Sequence, residues 1–436
     1  QEKETWLRLT KGLASGLAYA RAMTRDLQGA VVALERGRAV LLAEALERGS
    51  GQAAGAVSFY LIAEQARTAP LVYIAATAPG GLALVVGTDG EVAEVRLPGL
   101  TADALLDRTR RYYLANIARL ALGREDQWDA VLDGLGAWLW REVMGPVLEA
   151  VRPAGEVVLI PAGYLALLPL HAAWTEDPST AIGRRYALDE VCISYSANAR
   201  ALAAARQMAQ ETTADSILIV EEPSSVTAGP LDNASVEAVA VKRVFAGSQP
   251  LRDAGAIHTL RHGEATRAAV KAVLNKCAVL HLCCHGSANP GEPLSGGLLM
   301  ANDEMLTVRD VMERRESPAR LAVLSACETS VPGPGLPDEV IGLPTGLIEA
   351  GVAGVIGSLW SVPDLSTAVL MMRYYELWRT DGLEPREALR QAQRWVRDAT
   401  SAELRDRYPN VPWPAGDSEH PFARPNAWAA FTYTGA

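Results

Sequence analysis

A histidine and a cysteine close two successive apolar runs of this chain, and together they could form a thiol nucleophile with its base. His285, followed by Gly286, ends the run Ala278-Val279-Leu280-His281-Leu282-Cys283-Cys284. Cys327, followed by Glu328 and Thr329, ends the run Leu321-Ala322-Val323-Leu324-Ser325-Ala326. Runs of this length, apolar on both faces and bounded by glycine and polar residues, suit buried parallel strands. The segment between them has helical potential from Thr307 to Arg315, so strand–helix–strand is expected. Adjacent parallel strands lie about 4.8 Å apart. Residues just past their carboxyl ends share the crevice where open α/β sheets place ligands. His285 and Cys327 would face each other there.

A metal site is the rival reading, because His281, Cys283, Cys284 and His285 crowd together. Same-face neighbours along a strand are about 6.6 Å apart, whereas zinc bonds of roughly 2.0–2.3 Å need ligands much closer than that. The cluster cannot close around one ion as a strand, and no metal or cofactor is expected. His281, inside its run, reads as a packed strand residue, and His258 and His262 read as loop residues. Cys192, Cys277, Cys283 and Cys284 read as inert core.

The 436 residues, 49% hydrophobic, suffice for a large core and for two or three domains. A net charge of -10, with arginines interspersed among acids, argues against a nucleic-acid or anionic-membrane partner. Five cysteines, two of them vicinal, fit no disulfide framework, and a reducing cytoplasm is expected. The longest apolar stretch, Val340 to Val362, is interrupted by Pro344 and Glu349 and punctuated by Gly351 and Gly354. It reads as a helix, a glycine turn and a buried strand rather than a membrane span.

Thr5 to Leu27 and Gln28 to Arg48 read as two amphipathic helices, and the chain opens in sequence typical of mid-helix, so an upstream part is expected. They resemble either one pair of a repeat array or an ordinary helical hairpin. A three-stranded meander is expected over Leu71–Ala76, Leu82–Gly87 and Val92–Leu97, then helices over 101–122 and 126–151 and a strand at Glu156–Pro161. His171 and Cys192, the histidine and cysteine of this first α/β unit, do not repeat the order of the later pair. This unit reads as a scaffold. A Pro/Ser/Gly loop from Glu221 to Gly229 marks a boundary region, after which helix and strand alternate, as a mainly parallel sheet requires.

These motifs resemble the CHAT family, caspase-like cysteine peptidases often found in bacteria after tetratricopeptide repeats. The matching residues are Leu159 to Leu165 with Leu168-Pro169-Leu170-His171-Ala172, Ala265-Thr266, His281 to Gly286, and Leu324 to Thr329. Gly357 to Asp364 and the closing Ala427 to Phe431 complete the set, and the similarity runs from about residue 70 to the end. The resemblance implies an α/β fold of caspase-like parallel or mixed sheets with flanking helices. An inactive peptidase-like unit and an N-terminal helical segment would precede it, with units at 1–52, 53–210 and 211–436. The spacing of 285 and 327 is close to the roughly 50 residues seen in caspases. The local Ser-Ala-Cys-Glu-Thr differs from the caspase Gln-Ala-Cys, so aspartate preference does not carry over.

In that frame His285 is the base, Cys327 the nucleophile, and the backbone N–H groups of Gly286 and Cys327 are the oxyanion donors. No aspartate is assigned as a third member. Trp360 would line the subsite wall. Asp364, ahead of Asp338 and Glu339, would pair with a basic P1 side chain, although Asp338-Glu339 also suits a helix start. The expected function is a cysteine endopeptidase that cuts a protein partner under an upstream sensor, with a role such as bacterial defence. The alternative is a peptide-binding module that does not cut. A serine hydrolase would need a Gly-x-Ser-x-Gly elbow, which the chain lacks.

Overall fold

The computed structural model describes the chain apart from residues 1–11, 39–56, 153, 225, 250, 252–255, 288–292, 313–318, 327–341 and 415–417. Among the described residues, eleven strands form one mixed sheet. The expected meander opens it: β1 (Leu71–Thr77), β2 (Gly80–Val86) and β3 (Val92–Leu97) pair antiparallel. β4 (Glu156–Pro161) lies parallel to β1, while β5 (Trp174–Glu176) and β6 (Arg184–Tyr186) form a separate ribbon. β7 (Cys192–Tyr195) lies parallel to β4.

The later half contributes β8 (Ile217–Glu221), β9 (Ile257–Arg261) and β10 (Val279–Cys283), all parallel. A small antiparallel sheet follows, made of β11 (His285–Ser287), β12 (Gly297–Leu299) and β13 (Met305–Thr307). β14 (Ala319–Ser325) and β15 (Val352–Ser358) return to the main sheet, parallel to β10. The last strand, β16 (Phe431–Gly435), pairs antiparallel with β15 and parallel with β7. The chain's end therefore stitches the two halves into one sheet, in the order β3-β2-β1-β4-β7-β16-β15-β14-β10-β8-β9.

The near-continuous apolar runs of β10 and β14 follow from burial on both faces. Val279, Leu321 and Val323 point into one hydrophobic cluster, while Leu280, Leu282, Ala322 and Leu324 point into another on the opposite face. The stretch from 340 to 362 divides as its punctuation suggests: a helix at Leu343–Glu349, a turn at Gly351 with φ of 88°, and β15. Among the described residues no helix is long and apolar enough to cross a membrane.

Helices α1 (Leu13–Met23) and α2 (Leu27–Arg36) pack on the first half of the sheet. Glu35, fully buried, accepts from the backbone N–H of Ala199 at 2.8 Å and from Tyr73 Oη at 2.7 Å. Ala199 opens α3 (Ala199–Glu211), so the carboxylate sits on that helix's positive end. Burial raises the pKa of Glu35 against these hydrogen bonds. Arg38 adds a bond from Nε to the Ala197 carbonyl at 3.0 Å.

His171 in the first half is structural. Its Nε2 lies 3.0 Å from the Ala429 carbonyl, which can only accept, and its Nδ1 lies 2.9 Å from Tyr195 Oη. Burial lowers its pKa from 6.5 to about 4. Because the folded value is depressed, the unfolded chain takes up the proton first as pH falls. Stability should therefore drop progressively from pH 6.5 toward pH 4, by on the order of 3 kcal/mol from this residue alone. Urea melts of the native chain and of His171→Gln across that range check this, the variant giving the flatter dependence.

Candidate active site

Strands β10 and β14 are direct neighbours, and their register pairs Cys283 with Ser325. His285 stands two residues past Cys283, at the start of β11, where Gly286 pairs with Leu298 of β12. The described chain after β14 reaches Ala326, whose carbonyl accepts from the buried Ser358 Oγ at 2.6 Å. Cys327, Asp338 and Glu339 lie outside the described residues.

His285 Nε2 lies 2.7 Å from the carbonyl oxygen of Gly229. A carbonyl only accepts, so Nε2 carries the hydrogen, and in the neutral ring Nδ1 keeps the lone pair. That is the tautomer a base needs, fixed by backbone rather than by an acid. The segment that supplies Gly229 is the Pro/Ser/Gly loop that reads as a boundary in the sequence. Its position over the site is braced by Leu231 N–H donating to Glu222 Oε1 at 3.1 Å and by Thr227 N–H donating to Asp303 Oδ1 at 2.7 Å.

Four residues past the end of that loop, Asn233 stands just before α4 (Ala234–Gly247) and grips the candidate specificity acid. Asp364 Oδ2 accepts both the backbone N–H and the side-chain Nδ2 of Asn233, each at 2.7 Å. Asp364 is half-buried at the first turn of α5 (Asp364–Tyr375). Burial raises its pKa, and Glu237 and Asp232 push the same way against the Asn233 hydrogen bonds. Trp360 has no exposed surface. Its ring packs edge-on against Trp128, with centroids 5.8 Å apart, and its Nε1 donates to the Asn426 carbonyl at 3.3 Å. Tyr112 donates to Leu359 O at 3.2 Å and Arg119 to Ser361 O at 2.8 Å, so helical residues of the first half hold the exit of β15.

Residues 133–436 match the CHAT domain. The chain belongs to the CHAT domain family. Among solved structures, this CHAT chain resembles the Saccharomyces cerevisiae separase–securin complex, with a TM-score of 0.58 at 10% identity. The match covers 94% of this chain and 34% of that one, so the chain spans about a third of the length of that relative. The Arg specific cysteine proteinase gingipain R gives a TM-score of 0.41 at 10% identity over 68% of this chain and 67% of its own. No curated protein matches the chain in sequence. The family and the separase likeness together give a cysteine-peptidase-type, caspase-like fold.

Beneath His285, the CHAT domain buries a polar cluster. Glu237 Oε1 of α4 stands 3.1 Å from His281 Nε2 of β10, and both side chains are essentially unexposed. Tyr375 Oη lies 3.3 Å from His281 Nδ1, and Cys283 Sγ lies 3.8 Å from Glu237 Oε2. His281 is thus the packed strand residue expected. Burial, then Glu237, Cys284 and Asp364, push the Cys283 thiol well above its usual pKa, leaving it protonated and unreactive. Cys192 is pushed up to about 12, mainly by burial and then by Glu387. Among the described residues no three potential metal ligands converge.

Three contributors escaped the sequence reading: Gly229, Asn233 and Glu237. The first acts through a backbone oxygen, which has no signature in residue type. The other two carry no motif, and only their place on the loop and first turn of α4 brings them to the site.

Proposed function

We propose that this chain is a cysteine endopeptidase that cuts a protein partner, with His285 as base and Cys327 as nucleophile. The observation that carries this reading is His285 at the carboxyl end of β10, beside β14, with its tautomer fixed by Gly229. The Cys327 proton goes to His285 Nδ1, and sulfur adds to the peptide carbonyl carbon. The backbone N–H groups of Gly286 and Cys327 receive the oxyanion. The C–N bond then breaks as the imidazolium protonates the leaving amine. Water, deprotonated by the same ring, cleaves the thioester and restores the thiol. The other four cysteines, all buried, are unsuited to this step.

Asp364 is the acid that selects a basic P1 side chain, with Asp338 and Glu339 as further acids. The three units at 1–52, 53–210 and 211–436 are a helical segment that ends a repeat array, an inactive peptidase-like scaffold and a catalytic unit. Glu35 and Arg38 fasten the N-terminal helices to the scaffold at Ala199 and Ala197. The separase relative was solved with securin, which favours a protein partner here too. The setting is a bacterial cytoplasm, in a defence role.

Thiol chemistry tests the dyad directly. Alkylation by iodoacetamide, mapped by mass spectrometry across pH, should label Cys327 first, with an apparent pKa below the unperturbed value of about 8.5. His285→Ala should return that value toward about 8.5. Slow labelling of Cys327, indistinguishable between the two proteins, would defeat the proposal.

A further inference from the structure

We propose that Asn233 is a positioning residue for substrate selection, holding Asp364 in the charged form and orientation that receive a guanidinium at P1. The inference rests on the reading of Asp364 as the P1 acid. Both hydrogen bonds from Asn233 land on Oδ2, and among the described residues Oδ1 accepts none. One carboxylate oxygen is therefore spent on fixing the side chain, and the other stays available to a ligand. Asn233 is 9% exposed, and its own Oδ1 is buried without a hydrogen-bond partner among the described residues. The amide cannot be turned round to satisfy it, because that would set its oxygen against Asp364 Oδ2. A second acceptor thus lies on the residue that fixes the carboxylate, and a guanidinium, with five N–H donors, suits such a pair.

The charge around this pair is one-sided. Glu237 from α4 and Asp232 from the loop repel a charge on Asp364, and burial opposes it further. Cys283 of β10, the other titratable neighbour, is a neutral thiol, and His281 is turned to Glu237. Two N–H donors on one oxygen work against all of these, since hydrogen bonds to a charged group favour the charged form. The backbone N–H would remain in any variant, so the side-chain donor is the part that substitution removes. Residues 229–233 also tie this acid to the base, because Gly229 at the other end of the segment holds His285.

The experiment measures binding of acetyl-Leu-Leu-arginine aldehyde and its norleucine counterpart to the full chain by calorimetry between pH 4.5 and 8. The ratio of the two affinities reads P1 recognition and cancels the shared reaction with the thiol. In the native chain the arginine preference should fall as pH drops through the raised pKa of Asp364. Asn233→Ala should weaken arginine binding by about tenfold near the acid end and move the fall to higher pH, with the norleucine affinity unchanged. Asn233→Asp keeps the shape but adds a like charge, should move the fall further, and decides the matter where the alanine variant does not fold. An unmoved pH profile in both variants would overturn the role of Asn233. Asp364→Asn distinguishes the two layers: retention of the arginine preference there, or its absence in the native chain, would remove the P1 acid itself and this inference with it.

Discussion

Cys327→Ala should abolish peptide cleavage, and His285→Ala should lower kcat by about 10²–10⁴-fold. The two numbers differ because the residues fail differently. Without sulfur there is no acyl-enzyme. Without the imidazole a thiol of ordinary pKa remains, a few per cent ionised at neutral pH, and the leaving amine has no acid. The fold should survive both changes. His285 is only partly buried and makes one hydrogen bond to Gly229, the kind of contact whose loss costs about 1 kcal/mol. Matching urea melts would assign the loss of rate to chemistry. Cys283→Ala and Cys284→Ala serve as controls that should keep cleaving, since both side chains are buried in the core. Cleavage retained by Cys327→Ala but lost in either control would relocate the nucleophile.

The largest effect on stability is expected at Glu237. Its carboxyl group belongs to a buried cluster that includes His281, Tyr375 and Cys283, and it lies on α4 while two of its partners lie on β10. Glu237→Ala leaves a cavity and strips the buried polar groups around it of a partner, which together typically cost about 3–5 kcal/mol. Glu237→Gln keeps the volume and an acceptor, so it should cost less than the alanine change. Denaturant melts of the three proteins give the comparison. A loss under about 1 kcal/mol in Glu237→Ala would mean that apolar packing alone fastens α4 to the sheet. The helix follows directly from the segment whose Gly229 and Asn233 contact His285 and Asp364.

The parallel core was legible in the sequence because its strands are buried on both faces. Val279 to Cys283 and Leu321 to Ser325 show it as uninterrupted apolar runs, and their register sets His285 beside the exit of β14. The meander from Leu71 was legible through its alternating turns and strands. Short or half-exposed elements were not. β9 carries His258, which reads as a loop residue, because the strand is only partly buried and lacks an apolar signature. The three-residue strands β11 to β13 are too short to show a period, so the crossover between the site strands reads as a helix alone. That helix is present only at Val308–Met312 among the described residues. At the candidate site, residue type is what singles out His285 and Asp364 in the sequence, since a base and an acid are chosen by their chemistry. The Gly229 carbonyl and the Asn233 amide left no such mark, because any sequence that folds the loop this way supplies the first, and one asparagine among many supplies the second.

The measurement that bears most directly on the endopeptidase reading is profiling of new peptide N-termini in a bacterial lysate treated with this chain or with Cys327→Ala. The account predicts new termini that share a basic P1 residue and vanish with the variant. An identical set of termini in the two samples would contradict it and leave a peptide-binding module in the place of the enzyme.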